Sequence, residues 1–161
     1  MLFPSAGAHT GSPDVRCASL AALDAATAYA IWRLRSEVFV VEQDCVYLDL
    51  DGRDAEPTTL HWWVPGGSPG QVAAYLRVLA TDEPGEARIG RVVTAPLRRG
   101  EGLAGALVAA SVADLVARGA TRVTIDAQSH LEGWYGGFGF RRTGAEFLED
   151  GIPHVPMAHE A

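Results

Sequence analysis

Hydrophobic spacing changes period several times along this chain, and each change marks an element. Residues 1–14 have no period. They are rich in Gly, Pro, Ser and Thr and read as a mobile lead-in. Residues 15–20 suit a short first strand. From Ala25 the positions Ala28, Ile31, Trp32, Leu34, Val38 and Phe39 recur at near-helical spacing, which predicts a helix from 25 to about 40. Asp24 stands where an N-cap belongs. Arg33 and Glu37, four apart, are spaced to pair on one helix face. A meander follows: strands over 59–64, 71–80 and 87–93, separated by turns at Pro65-Gly66-Gly67 and Pro84-Gly85. In the first arm Trp62 and Trp63 point to opposite faces. A second helix runs from Gly102 to about Arg118, with Gly119 at its C′ position. Residues 122–127 form a strongly β-branched strand, 130–135 a short helix, and 142–148 and 155–159 two short strands around a turn at Gly151. No internal repeat and no linker long enough to separate two domains occurs, so strands and helices over 15–161 read as one domain.

Between the first helix and the meander, residues 42–57 are polar and acidic. Three aspartates, Asp49, Asp51 and Asp54, raise the question of calcium. An EF-hand needs a late Glu and a following helix, and neither is present. The segment therefore reads as a solvated acidic loop. The whole chain carries a formal charge of -7. It lacks the basic field of a general nucleic-acid binder. Cys17 and Cys45 form no CxxC or metal spacing and read as reduced, partly buried thiols. No signal-peptide pattern and no apolar run long enough for a membrane span occurs, so the cytoplasm is the expected compartment.

The chemistry concentrates in residues 89–107. Ile89 to Val93 reads as a buried strand, Pro96 ends it, and Arg98-Arg99-Gly100-Glu101-Gly102 makes a basic glycine turn before Leu103 and Ala104 open a helix. A helix start leaves its first N–H groups unpaired and carries the positive end of the helix dipole, which suits a phosphate. Gly100 and Gly102 let a bulky anion approach the backbone. Arg98 and Arg99 add planar donors. Gly100 to Gly105 also fits the dinucleotide fingerprint GxGxxG, and Asp126 falls about where the ribose acid of that fold belongs. Two features oppose it. Thr94 to Arg99 separate strand from glycine, and too few strand–helix units follow for a doubly wound sheet. A P-loop is excluded because no Gly-Lys-Ser/Thr occurs.

The stretch from Val93 to Leu107 resembles the acetyl-coenzyme A loop of GNAT-type N-acetyltransferases. Trp134-Tyr135-Gly136-Gly137-Phe138-Gly139-Phe140 is similar to the late Tyr motif of that family. Blocks at 33–43, 49–54, 127–131 and 148–154 resemble the ElaA-like subgroup. The resemblance implies a single α/β GNAT acyl-coenzyme A N-acyltransferase domain. Its twisted mixed sheet would be flanked by helices and would open in a V between the strands that hold Arg91 and Asp126. It implies acetyl-CoA as co-substrate, with Arg91, Val92 and Val93 alongside the pantetheine arm. The pyrophosphate would sit on backbone N–H groups of the loop from Arg99 through Gly100, Glu101, Gly102 and Leu103 to Ala104, and Arg98 and Arg99 would be candidates for the 3′-phosphate. Where the family often has Gln or Arg before the glycines, this chain has Leu97.

Amine acetylation needs an unprotonated acceptor, a polarised thioester carbonyl and a proton for the leaving thiolate. The resemblance makes Tyr135 the proton donor, against a purely packing role beside Phe138 and Phe140. It places Glu42 near the acceptor cleft as a candidate base, against a plain surface acid. Gln128, His130 and His154 are candidate acceptor contacts, the histidines also having the right chemistry for a base, each with a structural alternative. His61, between strand residues, reads as a satisfied sheet histidine. Arg77 and Arg91 either face the cleft or bind the acidic loop. A backbone N–H near Val93 would polarise the carbonyl. No metal is required. The expected partner is a small-molecule or peptide amine, not nucleic acid or membrane, and the acidic residues hint at a cationic acceptor. Monomer and homodimer stay equally open. The alternative function is a non-catalytic acyl-coenzyme A binding module of the same fold.

Overall fold

The computed structural model describes residues 11–161, so most of the expected lead-in lies outside the described residues. Strand β1 (Arg16–Ala18) precedes helix α1 (Ala25–Arg35). The Asp24 carboxylate accepts the Thr27 N–H at 2.8 Å and its hydroxyl at 2.7 Å, which caps α1. The helix then widens into π turns over Ser36–Glu42, where Gln43 N–H donates to Val38 O at 3.0 Å and Cys45 N–H to Val40 O at 3.2 Å. Val38, Val40 and Val41 are β-branched and crowd a regular turn, which favours this local widening. Arg33 and Glu37 straddle its start, and no ion pair joins them among the described residues.

The meander is β2 (Leu60–Pro65), β3 (Val72–Ala80) and β4 (Glu86–Thr94). Helix α2 (Leu103–Ala117) leads to β5 (Arg122–Gln128), and a 3-10 turn over Ser129–Leu131 leads to α3 (Glu132–Gly136). Strands β6 (Arg141–Arg142), β7 (Phe147–Glu149) and β8 (Ile152–Glu160) close the chain. The expected strand over 142–148 is thus two pieces. A β-carbon on Gly144, between them, would lie 2.9 Å from Pro156 of β8. The sheet order is β1-β2-β3-β4-β5-β8-β6, with β7 also paired to β8. Every pair is antiparallel except β4 with β5, which α2 connects as a crossover. Gly119 ends α2 at φ +96°, with its N–H on Val116 O at 2.9 Å and that of Ala120 on Leu115 O at 2.9 Å. This is the paired bonding of a Schellman cap.

Helices cover both faces of the sheet. Trp62, Leu76, Ile89, Leu107, Val108, Ile125 and Val155 form the cluster on the α2 side, and Ile31, Leu34, Val38, Tyr75 and Val93 that on the α1 side. Trp62 and the half-buried Trp63 do face opposite ways. Central β3 is buried up to Leu79, as a strand covered on both faces must be.

Two irregularities in β4 shape the site. It pairs with β5 only through Glu86, Ala87 and Arg88, so its far half leaves its neighbour and the sheet opens in a V. On its other edge Tyr75 faces Val93 while Arg77 faces Gly90, so an extra residue bulges at Arg91, whose φ is +54°. The bulge reverses the alternation of the strand. Ile89 packs on the α2 side, yet Val93 packs on the α1 side.

Candidate active site

A cavity of about 640 Å³ fills the V. Val38, Phe39 and Tyr47 wall it from the α1 side, and Ala104, Leu131 and Tyr135 from the α2 side. It therefore passes through the sheet. Of the residues singled out from sequence, it gathers Glu42, Arg91, Val92, Val93, Arg99, Ala104, Gln128, His130, Tyr135 and His154. Arg98, Gly100, Glu101, Gly102 and Leu103 do not line it and form the loop at its end.

That loop is built for an anion. Gly100 and Gly102 sit at φ +83° and +75°, and a β-carbon at either would meet nothing within 4 Å. The backbone conformation, not crowding, calls for glycine at both. Among the described residues, no backbone or side-chain acceptor pairs with the amides of Gly100, Glu101, Gly102, Leu103, Ala104 or Gly105; the first intrahelical bond is Ala106 N–H to Gly102 O at 3.1 Å. Six successive free amides at a helix start are a cradle of the size and sign of a pyrophosphate. Leu103 turns its side chain into the core and offers only its amide. The third glycine serves packing instead. A β-carbon on Gly105 would lie 3.0 Å from the Phe138 ring, so its absence seats α2 against the aromatic segment after α3. Both loop arginines are already paired, Arg98 with Glu101 at 2.9 Å and Arg99 with Glu42 at 2.8 Å. These pairs are half exposed and hence readily exchanged for a ligand's charge.

The far half of β4 supplies free amides too. Ala95 N–H donates to Ala73 O at 2.8 Å. By alternation Val93 turns its N–H to β3, and Val92 and Thr94 turn theirs to the open edge. The free amides near Val93 are thus those of its two neighbours.

Tyr135 is buried, 4% exposed, in the α2-side cluster, packed on Phe140 and Trp134. Burial raises its phenol well above the ordinary tyrosine value. It is therefore a neutral O–H at physiological pH, able to give a proton.

The acceptor side carries Gln128 and His154, which face each other across β5 and β8. His154 is buried, stacks on Phe147 and directs Nδ1 to Ile152 O at 2.7 Å. His130 is exposed in the 3-10 turn. Asp126, the position a ribose acid would take, is instead bound by Arg88.

The segment read as a solvated acidic loop is the clearest correction. Asp49 and Asp54 are buried, and three arginines pin them. Arg35, with no exposed surface, binds Asp49 at 2.9 Å and Asp54 at 2.6 Å. Arg77 holds Asp51 at 2.6 Å and Asp54 at 3.1 Å, and Arg91 holds Asp49 at 2.7 Å. Tyr47 donates to Asp49 at 3.0 Å. His61 bridges the Tyr75 hydroxyl at 2.7 Å and Asp54 O at 3.0 Å, the satisfied sheet histidine expected from sequence. Opposite charges explain the burial: three carboxylates and three guanidiniums balance, and none of these residues enters the interior without a partner. The bulge at Arg91 belongs to this network. A left-handed non-glycine residue costs about 1–2 kcal/mol, and the ion pair with Asp49 holds it there. The cysteines form no bond; Cys17 is exposed, not half-buried, and Cys45 is buried on the cavity wall. Among the described residues no cluster of three metal-ligating side chains exists, and no helix is long and apolar enough to cross a membrane.

Comparison with known proteins agrees with this geometry. The family model for an acetyltransferase (GNAT) domain matches residues 56–161. A UPF0039 protein of Mycobacterium tuberculosis is 45% identical over 137 residues, which is 84% of this chain and 85% of that protein. The crystal structure of an acyl-CoA N-acyltransferase from Pseudomonas aeruginosa is 38% identical with a TM-score of 0.84, covering 92% of this chain and 99% of that one. The crystal structure of Escherichia coli ElaA is 33% identical with a TM-score of 0.83, covering 92% of this chain and all 100% of that one. A split sheet, a cradle of bare amides at its mouth and relatives of this kind lead to one conclusion: the chain belongs to the GNAT acetyltransferase family, in its ElaA-like branch.

Proposed function

We propose that this protein is an N-acetyltransferase that moves an acetyl group from acetyl-CoA to the primary amine of a small molecule or a lysine side chain, by direct attack in a ternary complex. The observation that carries the proposal is the cavity through the sheet, which Tyr135 lines and which reaches the loop of free amides over 100–105 at Arg99 and Ala104. Acetyl-CoA supplies a thioester carbonyl for the amine to attack and a sulfur that leaves. The loop from Arg98 to Ala104 binds its pyrophosphate through backbone N–H groups, and Arg99 exchanges Glu42 for phosphate charge. The free edge of β4 at Val92 and Thr94 pairs with the pantetheine arm, and one of these amides polarises the carbonyl. Tyr135 gives its proton to the departing sulfur. Glu42, released by Arg99, adds negative charge where a cationic acceptor enters.

Calorimetry with acetyl-CoA, followed by an amine-library screen that monitors free thiol, tests the reading. Binding together with amine-dependent thiol release is the expected result. Binding without release by any amine points to a non-catalytic module. No binding removes the reading altogether.

A further inference from the structure

We propose that His154 is the general base that takes the proton from the acceptor amine, with Glu149 positioning it; this rests on the transfer reading above. The geometry separates it from four other titratable groups around the cavity. Glu42, the base expected from sequence, has Arg99 at 2.8 Å as its one side-chain partner among the described residues, so nothing orients it once that arginine turns to phosphate. Asp126 is bound by Arg88, and Tyr47 is engaged with Asp49. His130 is exposed in a 3-10 turn and has no hydrogen bond to fix its ring among the described residues.

His154 is fixed in three ways. Its Nδ1 lies 2.7 Å from Ile152 O, and a carbonyl can only accept, so the proton of the neutral ring belongs on Nδ1. Nε2 then carries the lone pair. The Phe147 ring stacks on the imidazole at 5.9 Å between centroids and sets its plane. Glu149 Oε2 stands 3.7 Å from Nε2, close enough to stabilise the imidazolium once formed. The remaining groups that face it are Asp150 on the same hairpin, uncharged Gln128 across β5, and His130 from the turn packed on β8.

Its side of the sheet is also the right one. Neighbouring Val155 is fully buried in the α2-side cluster, so His154 points to the α1 side. Tyr135 belongs to the α2-side cluster. Base and acid thus approach the V from opposite faces, so the proton leaving the amine and the proton reaching the sulfur are handled by separate groups. In proton terms, the acceptor ammonium gives a proton to Nε2, which passes it to solvent. The C–N bond forms as the C–S bond breaks. Tyr135 protonates the sulfur, and the second proton shed by nitrogen restores the phenol through solvent.

The test follows thiol release against pH with one amine for wild type, His154→Gln and Glu149→Gln, and measures acetyl-CoA affinity in parallel. A positioned base contributes roughly 100-fold or more. His154→Gln is expected to lower kcat by about that factor with unchanged acetyl-CoA affinity, and to leave only the ionisation of the amine on the acidic limb of kcat/KM. Glu149→Gln, at an exposed position that tolerates change, is expected to move that limb to lower pH, because loss of the carboxylate destabilises the imidazolium. Near-wild-type turnover in His154→Gln, or a limb that Glu149→Gln leaves in place, overturns the assignment and leaves the transfer reading intact. A wild-type protein that releases no thiol with any amine overturns both.

Discussion

Replacing Arg35 with Met tests the buried charge network most directly. The methionine keeps apolar volume between Trp32 and Tyr75, whose rings lie 5.2 and 5.7 Å from the guanidinium. The loss is therefore one of charge and hydrogen bonds. Arg35 donates to Asp49 Oδ2, to Asp49 O and to Asp54 Oδ1 at 2.9, 2.8 and 2.6 Å, with no exposed surface of its own. Removing one partner of a buried ion pair costs about 3–5 kcal/mol. Here Asp49 keeps Arg91 and Tyr47, and Asp54 keeps Arg77, which points to the lower end, about 3 kcal/mol. For a chain of this size that is roughly 6–12 °C in Tm. Urea unfolding followed by tryptophan fluorescence gives the number, with Arg118→Met as comparison. Arg118 pairs with Asp114 on the surface of α2, and its loss is expected to leave stability nearly unchanged. The network also anchors the segment that carries Cys45 and Tyr47 into the cavity, so KM for the acceptor should rise in Arg35→Met. A stability loss below about 1 kcal/mol with an unchanged m-value would show that water already screens these charges, and the reasoning would fail.

Three further outcomes are expected. Tyr135→Phe keeps the packing with Phe140 and removes the proton, so kcat should fall about 100-fold while calorimetry finds acetyl-CoA affinity little changed; unaltered turnover would exclude the phenol. Gly102→Val places a β-branched side chain at φ +75°, so acetyl-CoA affinity should drop at least tenfold by titration, with α2 otherwise retained by circular dichroism. Stability should fall steeply below about pH 4. The Arg77 hydrogen bond holds Asp51 well below the usual carboxylate range, and burial of Asp54 is outweighed by its bonds to Arg35 and Arg77, which lower it as well. Depressed folded values stabilise fully above the unfolded pKa and lose that effect as pH falls. Asp51→Asn should therefore flatten the acid limb of a urea-midpoint profile; an unaltered slope would contradict the pairing.

Local rules written into consecutive residues determined much of this protein. Asp24 as a cap, Gly119 as a stop, the twin tryptophans on opposite faces and the glycine turn before α2 all follow from backbone preferences and spacing. Those act over a few residues and need no knowledge of the rest. The glycine loop before α2 was legible for the same reason, since a helix start and its free amides are contiguous. Tertiary structure decided what depends on distant partners. The acidic segment looked solvated because its arginines stand 14 to 42 positions away in the chain, on α1, β3 and β4. The bulge at Arg91 and the reversed alternation after it arise from packing between elements, so no periodicity announces them. The roles of Glu42 and His154 likewise rest on what stands across the cavity. A carboxylate held by an arginine and an imidazole oriented by a carbonyl and a stacked ring are set by contacts that only the folded chain makes.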